Sequence, residues 1–336
     1  MKTAYNRNFN LLVIGECLVE FECDGNIIES ETFRKDIGGA DIVVAAAAAR
    51  LGSKVQLVSA IARDPFHSFI HERLISQGID TGSVVSCQGY NGVYFTGSRY
   101  PEQREYLAHH PGTANRFIAP SLISDELIDN CKIVYASSEL QSVSRETRRT
   151  VFKAFHLAHS RNIMVAYDPN LRLMRWSLDE EHECQCSDTK RRLHKTRQGL
   201  DEARECLWNV LSLVDVVFLS SPEESMALFG LERPFEVIGY LWDRNSNIIA
   251  VVKTGANGCV VGYDGKIESF LQPTPHAGER FTPTLVGSAF NGSFLHAIAC
   301  GYSPFEAAAL ANSVALYKGI KGGGIDSLPT EADINT

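Results

Sequence analysis

Residues 38–52 read Gly38-Gly39-Ala40-Asp41-Ile42-Val43-Val44-Ala45-Ala46-Ala47-Ala48-Ala49-Arg50-Leu51-Gly52, a glycine pair leading into an alanine-rich run that stops at another glycine. The run predicts a helix over Ile42 to Leu51. Adjacent glycines let backbone approach a ligand closely, and the helix behind them directs its positive end at that place. Taken alone, the pair serves equally well as a plain turn. Its surroundings decide the fold. Leu11-Leu12-Val13-Ile14 before it and Val55-Gln56-Leu57-Val58 after it are apolar runs of strand length, and Pro65 to Gln77 reads as a helix ending at Gly78. The same alternation returns in Ile133 to Ala136, Ile163 to Tyr167, Val214 to Leu219 and Ile248 to Val252, with helix-length segments between them. It predicts a doubly wound α/β fold, a mostly parallel central sheet flanked by helices.

Two regions break the rhythm. Leu18 to Arg34 alternates polar and apolar residues around Asp24-Gly25-Asn26, and Gly92 to Leu107 carries Val93-Tyr94-Phe95 and Arg99-Tyr100. Both predict strands projecting from the main sheet as a small β-lid, residues 18–34 and 92–107. Residues 177–204 are charged, weakly periodic and read as a surface insertion. The whole chain, 1–336, is expected to form one domain.

Composition bounds the function. The chain has 336 residues, 44% hydrophobic and 21% charged, and a net charge of −8 with its basic residues scattered. That balance does not suit duplex nucleic acid, which needs a concentrated positive face. No apolar run approaches the roughly 18 residues of a membrane span, and Leu11 to Gly15 is too short for a signal-peptide core. A cytoplasmic protein is expected. Nine cysteines, mostly within apolar segments, fit reduced thiols better than a disulfide framework. His182, Cys184, Cys186 and His194 could supply soft ligands, but their C-x-C spacing is not that of structural zinc sites, so zinc is not expected.

Two further glycine-rich turns are candidate sites. Val286-Gly287-Ser288-Ala289-Phe290-Asn291-Gly292 reads as a small-residue turn leading into a helix over Ser293 to Cys300, where a phosphate oxyanion could be held. Lys253-Thr254-Gly255-Ala256-Asn257-Gly258 follows a predicted strand, and open α/β sheets bind ligands at such ends. With Asp64-Pro65-Phe66, Tyr167-Asp168-Pro169-Asn170-Leu171-Arg172, Glu223-Glu224, Asn312 and Ser327-Leu328-Pro329-Thr330, these segments resemble the ribokinase-like (PfkB) carbohydrate kinases over nearly the whole chain. They come nearest the 2-keto-3-deoxygluconate kinase branch. The resemblance implies an ATP- and Mg²⁺-dependent sugar or sugar-acid kinase with a β-lid that often forms a homodimer contact. It implies substrate contacts from Gly38, Gly39, Asp41, Tyr94, Asn170 and Asn291, and nucleotide contacts from Lys253, Thr254, Gly255, Gly258 and Asn312. Glu224 would organise Mg²⁺ through water, and Gly287 would contribute to the anion hole of the transferred phosphate.

The chain departs from that pattern where chemistry occurs. The family's D-T-x-G-A-G-D turn is Thr282-Pro283-Thr284-Leu285-Val286-Gly287-Ser288, so Ser288 stands at the position of the catalytic Asp. A neutral hydroxyl does not take a proton as a carboxylate does, and loss of a positioned base costs about 10² to 10⁴ in rate, roughly 3 to 5 kcal/mol of barrier. Near in sequence, the only acid is Glu279, nine residues before Ser288. Val43 replaces a polar sugar contact, Ser221 replaces the Asn of N-x-x-E and His67 replaces a glycine. Ala108-His109-His110 lies where relatives carry an Arg for the substrate carboxylate. Three functions follow: a kinase of little activity that has become a ligand- or partner-binding pseudokinase, an active kinase with a substitute base, or a regulatory subunit pairing through its lid. His109-His110 as a solvated turn, Asp168 as a strand terminator and Tyr94-Phe95 as lid packing are the plain structural alternatives.

Overall fold

The computed structural model describes residues 7–100, 103–109, 112–176, 189–273, 275 and 281–334. Among the described residues, thirteen strands form two sheets. The strands are β1 (Phe9–Ile14), β2 (Leu18–Glu22), β3 (Arg34–Gly38), β4 (Val55–Ala62), β5 (Ile79–Cys87), β6 (Gly92–Tyr100), β7 (Gln103–His109), β8 (Cys131–Ser137), β9 (Met164–Asp168), β10 (Val216–Ser220), β11 (Ile249–Lys253), β12 (Cys259–Tyr263) and β13 (Lys266–Phe270). The larger sheet has the order β13-β12-β11-β10-β9-β8-β1-β4-β5. It is parallel from β5 through β11 and closes with the antiparallel strands β12 and β13. Its inner strands are continuous apolar runs because helices cover both faces, with one core on each side. The doubly wound fold expected from the sequence is the fold observed.

Chain order runs outward from β1 to β4 and β5 on one side, and from β8 to β9, β10 and β11 on the other. The reversal falls between β1 and β8, where such sheets open a crevice at their carboxyl ends. The helix Ala40–Arg50 lies beneath it and is buried from Ala40 through Ala48. Its alanines permit a close crossing with the helix Val286–Ala299, where a Cβ at Gly292 would collide with the Val44 carbonyl oxygen.

The second sheet has the order β3-β2-β6-β7. Residues 18–34 enter a hairpin as expected, β2 pairing antiparallel with β3 from Leu18 opposite Gly38 to Glu22 opposite Arg34. A wide loop separates β2 from β3, which begins at Arg34, and β2 pairs in parallel with β6. The segment after Gly92 is an antiparallel hairpin of β6 with β7, extending to His109. Other expected boundaries also move. The alanine-rich helix begins at Ala40, because Gly39 rather than Asp41 turns the chain. The helix expected over Ser293 to Cys300 begins at Val286, so Gly287, Ser288 and Asn291 are helical residues. Residues 189–204, within the segment expected as a surface insertion, belong to the helix Thr189–Leu211, whose Ala203 and Leu207 are buried. Short or polar segments hid β5 and the β12–β13 hairpin from the apolar-run criterion.

Among the described residues no helix is long and apolar enough to cross a membrane. Cys17, Cys23, Cys87, Cys131, Cys206, Cys259 and Cys300 are free thiols. His182, Cys184 and Cys186 lie outside the described residues, as does the side chain of His194.

Candidate functional site

At the crevice between β1 and β8, Gly39 has φ 109°, and a Cβ there would stand 2.8 Å from the Glu16 carbonyl oxygen. A Cβ on Gly38 would run into the Tyr94 hydroxyl. The glycine pair is therefore required by a left-handed turn and by close approach of the second sheet. Tyr94 is buried on β6, while the neighbouring Phe95 stacks on Phe21 with ring centroids 5.2 Å apart. Asp41 is fully buried in the first helical turn, and burial, reinforced by Glu139 and Glu16, raises its carboxyl well above the usual range. Arg175 donates from Nη2 to Glu16 Oε2 at 2.9 Å and from Nη1 to Glu139 Oε1 at 3.0 Å, and also meets Glu16 Oε1. Asn170, at φ 34°, donates through Nδ2 to Glu139 Oε2 at 2.8 Å.

The phosphate-site candidate lies beside this cluster. Leu285 caps the helix Val286–Ala299 with φ 59° and ψ 4°, a left-handed conformation that favours glycine, so the turn keeps a glycine shape with a leucine in it. Ser288 is half-buried in the first turn, and the Thr284 hydroxyl is buried without a hydrogen-bond partner. Lys253, at the end of β11, reaches this helix: its Nζ lies 3.8 Å from the place a Cβ on Gly287 would take. The same ammonium donates to Asp168 Oδ2 at 3.1 Å and to Asn291 Oδ1 at 3.2 Å, and Asn291 Nδ2 donates to Asp168 Oδ2 at 2.5 Å. Asp168 also accepts from the Asn170 backbone N–H at 2.9 Å, so it is both a strand-end turn residue and a charged partner of the site. Three-dimensional proximity thus brings a carboxylate to Asn291 on the helix that carries Ser288, which sequence proximity did not. Glu279 lies outside the described residues.

Glu224 accepts from the Leu171 and Ser220 backbone N–H groups at 2.6 and 2.8 Å. Burial and the nearby Asp168 charge push its carboxyl up to about 7, with Lys253 opposing. Beyond β11, the Thr254 N–H donates to the Gly258 carbonyl at 2.8 Å, and Gly255 and Gly258 take φ 61° and 87°. Asn312 is buried, and its Nδ2 donates to the Phe270 carbonyl at 3.1 Å, so its amide braces the β13 end. Among the described residues no three His, Cys, Asp or Glu side chains converge as metal ligands would. Val43 is buried in the core, the Ser221 hydroxyl donates to the Glu232 carbonyl at 2.6 Å, and His67 Nε2 lies 2.7 Å from Ser86 Oγ. His110 lies outside the described residues.

The structure therefore brings Gly38, Gly39, Asp41, Tyr94 and Asn170 to the crevice. Lys253, Gly287, Ser288 and Asn291 gather beside it, with Glu224 near Asp168. The sequence pattern missed the partnership of Glu16, Glu139 and Arg175, because residues 16, 139 and 175 meet only when β1, β8 and the helix Leu173–Trp176 are placed together.

The sheet order and the crevice define a ribokinase-like α/β protein, and solved sugar-kinase structures superpose on nearly all of it. A PfkB protein from Polaromonas sp. JS666 matches with TM-score 0.79 and 22% identity, covering 98% of this chain and 99% of that one. A putative ribokinase II from E. coli matches at 0.81 and 18%, covering 97% and 98%. Residues 8–188, more than half of the chain, match the pfkB family of carbohydrate kinases, and the protein belongs to that family. Among its relatives, probable fructokinase-2 of Arabidopsis thaliana is 25% identical over 348 residues, covering 99% of this chain and 97% of the relative. A 5-dehydro-2-deoxygluconokinase of Clostridium beijerinckii is 29% identical over 180 residues, covering 52% of this chain and 53% of the relative.

Proposed function

We propose that this carbohydrate-kinase homologue binds a sugar at the β1–β8 crevice and Mg²⁺-nucleotide beside Lys253, with phosphoryl transfer about 10² to 10⁴ slower than an Asp-based site would achieve. The carrying observation is Ser288, a neutral hydroxyl in the first turn of a helix whose backbone otherwise keeps the phosphate-turn shape. Helix-terminal N–H groups and the Lys253 ammonium suit a phosphate oxyanion. Asp168 and Glu224 are the carboxylates close enough to Lys253 to meet the water shell of a nucleotide-borne Mg²⁺. The ion, when bound, would neutralise developing phosphate charge. A putative ribokinase II of E. coli with this fold is solved in complex with ATP and Mg²⁺. Tyr94, seated against Gly38, supports the second sheet as a lid over the sugar.

A second reading, an active kinase with a substitute base, is favoured by one contact. Asp168 bonds to Asn291, three residues after Ser288 on the same helix. Calorimetry with Mg²⁺-ATP and turnover against fructose, ribose and 2-keto-3-deoxygluconate, for wild type and Ser288→Asp, tests both readings. Nucleotide binding with turnover that rises at least 100-fold in Ser288→Asp supports the first. Fast wild-type turnover that Asp168→Asn abolishes supports the second and overturns the first.

A further inference from the structure

The crevice holds more negative charge than its own cation neutralises. Glu16, at the end of β1, and Glu139, just after β8, share the single guanidinium of Arg175, which is only 10% exposed. Both guanidinium nitrogens that face the crevice are engaged, and the second Glu139 oxygen is taken by Asn170. Asp41 faces the same group of charges, with Glu16, Glu139 and Arg175 acting on it, and has no cation to itself. The Ser137 hydroxyl is set against the Asp41 carboxyl. Asp41 and Ser137 are both completely buried. Burial disfavours the charged form of Asp41, so the negative charge here belongs to Glu16 and Glu139, set against the single positive charge of Arg175. Tyr106 reaches the cluster from β7 and adds no positive charge. Arg172, the remaining cation near it, is exposed.

We propose that Glu16, Glu139 and Arg175 form a charge filter that makes the acceptor subsite select a polyol rich in hydrogen-bond donors, neutral or amine-bearing, and reject one carrying a carboxylate. The inference rests on the reading that this crevice binds a sugar. A hydroxyl or ammonium meets glutamate oxygens with acceptor capacity left, since each Glu16 and Glu139 oxygen takes one bond. A carboxylate meets the like charges of Glu16 and Glu139, and the buried Arg175 guanidinium is already held by both. Arg175 is here a positioning residue: it holds the two glutamates, and they deny it to the ligand.

The test is calorimetric binding of fructose, glucosamine and gluconate to the full chain, with Mg²⁺-ATP titrated separately, for wild type, Glu139→Gln and Glu16→Gln. Wild type is expected to bind fructose or glucosamine at least tenfold tighter than gluconate. Either glutamine variant is expected to free part of the Arg175 guanidinium and improve gluconate affinity at least tenfold relative to fructose. Comparing two variants guards against one that fails to fold. Gluconate binding best to wild type, or a selectivity ratio unmoved in a folded variant, overturns the filter. Mg²⁺-ATP binding with no affinity for any of the three compounds also overturns it but leaves the nucleotide half of the functional reading standing. Binding of neither nucleotide nor sugar overturns both.

Discussion

Ser288 and Asp168 separate two ideas that a motif comparison merges: whether a residue type is present, and whether its chemistry is. On the proposed reading the helix start carries a hydroxyl where the resemblance expects a carboxylate, yet the fold sets Asp168, paired with Lys253 and Asn291, against the same helix. Lys253→Met is expected to leave Asp168 a buried charge without its counter-ion, destabilising the protein by about 3 kcal/mol in urea unfolding and weakening Mg²⁺-ATP binding. Glu20 carries a pH signature. Burial, reinforced by Glu22, pushes its carboxyl from 4.5 to about 7 against hydrogen bonding from Thr96 and the Lys318 charge. Between those pH values the folded protein holds a proton that the unfolded chain has released. Stability therefore falls as pH rises through that window and levels off above it. Urea unfolding at pH 5 and pH 8 is expected to show wild type losing about 3 kcal/mol more across the interval than Glu20→Gln. An equal loss in both proteins would remove Glu20 as the source.

Among the elements, the crossing of the helices Ala40–Arg50 and Val286–Ala299 controls the site from below, since one carries Asp41 and the other Ser288 and Asn291. The alanine run was legible as a helix, but the reason for the alanines was not. They and Gly292 let the two backbones approach so closely that a Cβ on Gly292 meets the Val44 carbonyl oxygen. Gly292→Ala is expected to cost about 1 to 3 kcal/mol through forced backbone displacement, read as a lower urea midpoint with an unchanged slope. Because the displacement is transmitted to Ser288 and Asn291 on the same helix, Mg²⁺-ATP affinity is expected to fall with it.

Across the whole molecule, the two sheets meet where β3 delivers the glycine pair and β6 sets Tyr94 against it, and again where the Asn91 side chain, just before β6, bonds to Ala62 at the end of β4. A sugar held at the crevice is expected to tie the second sheet to the first. Hydrogen exchange should then slow in β6 and β7 with the sugar that binds, and remain unchanged in β12 and β13. Uniform slowing across both sheets would indicate general stabilisation rather than closure.

The alternation of apolar runs and helices determined the doubly wound sheet by itself, because a parallel strand buried on both faces must be apolar throughout and its crossover must be helical. The glycine turn at residues 38–39 was local for the same reason: backbone turn chemistry is written in neighbouring residues. Tertiary structure alone decided the electrostatics. Glu16, Glu139 and Arg175 lie on separate segments, and Asp168 reaches Lys253 and Asn291 only when β9, β11 and the helix Val286–Ala299 converge at the sheet's carboxyl edge. Charge interactions act through space within a few ångströms, and the spacing of residues along the chain does not encode that distance.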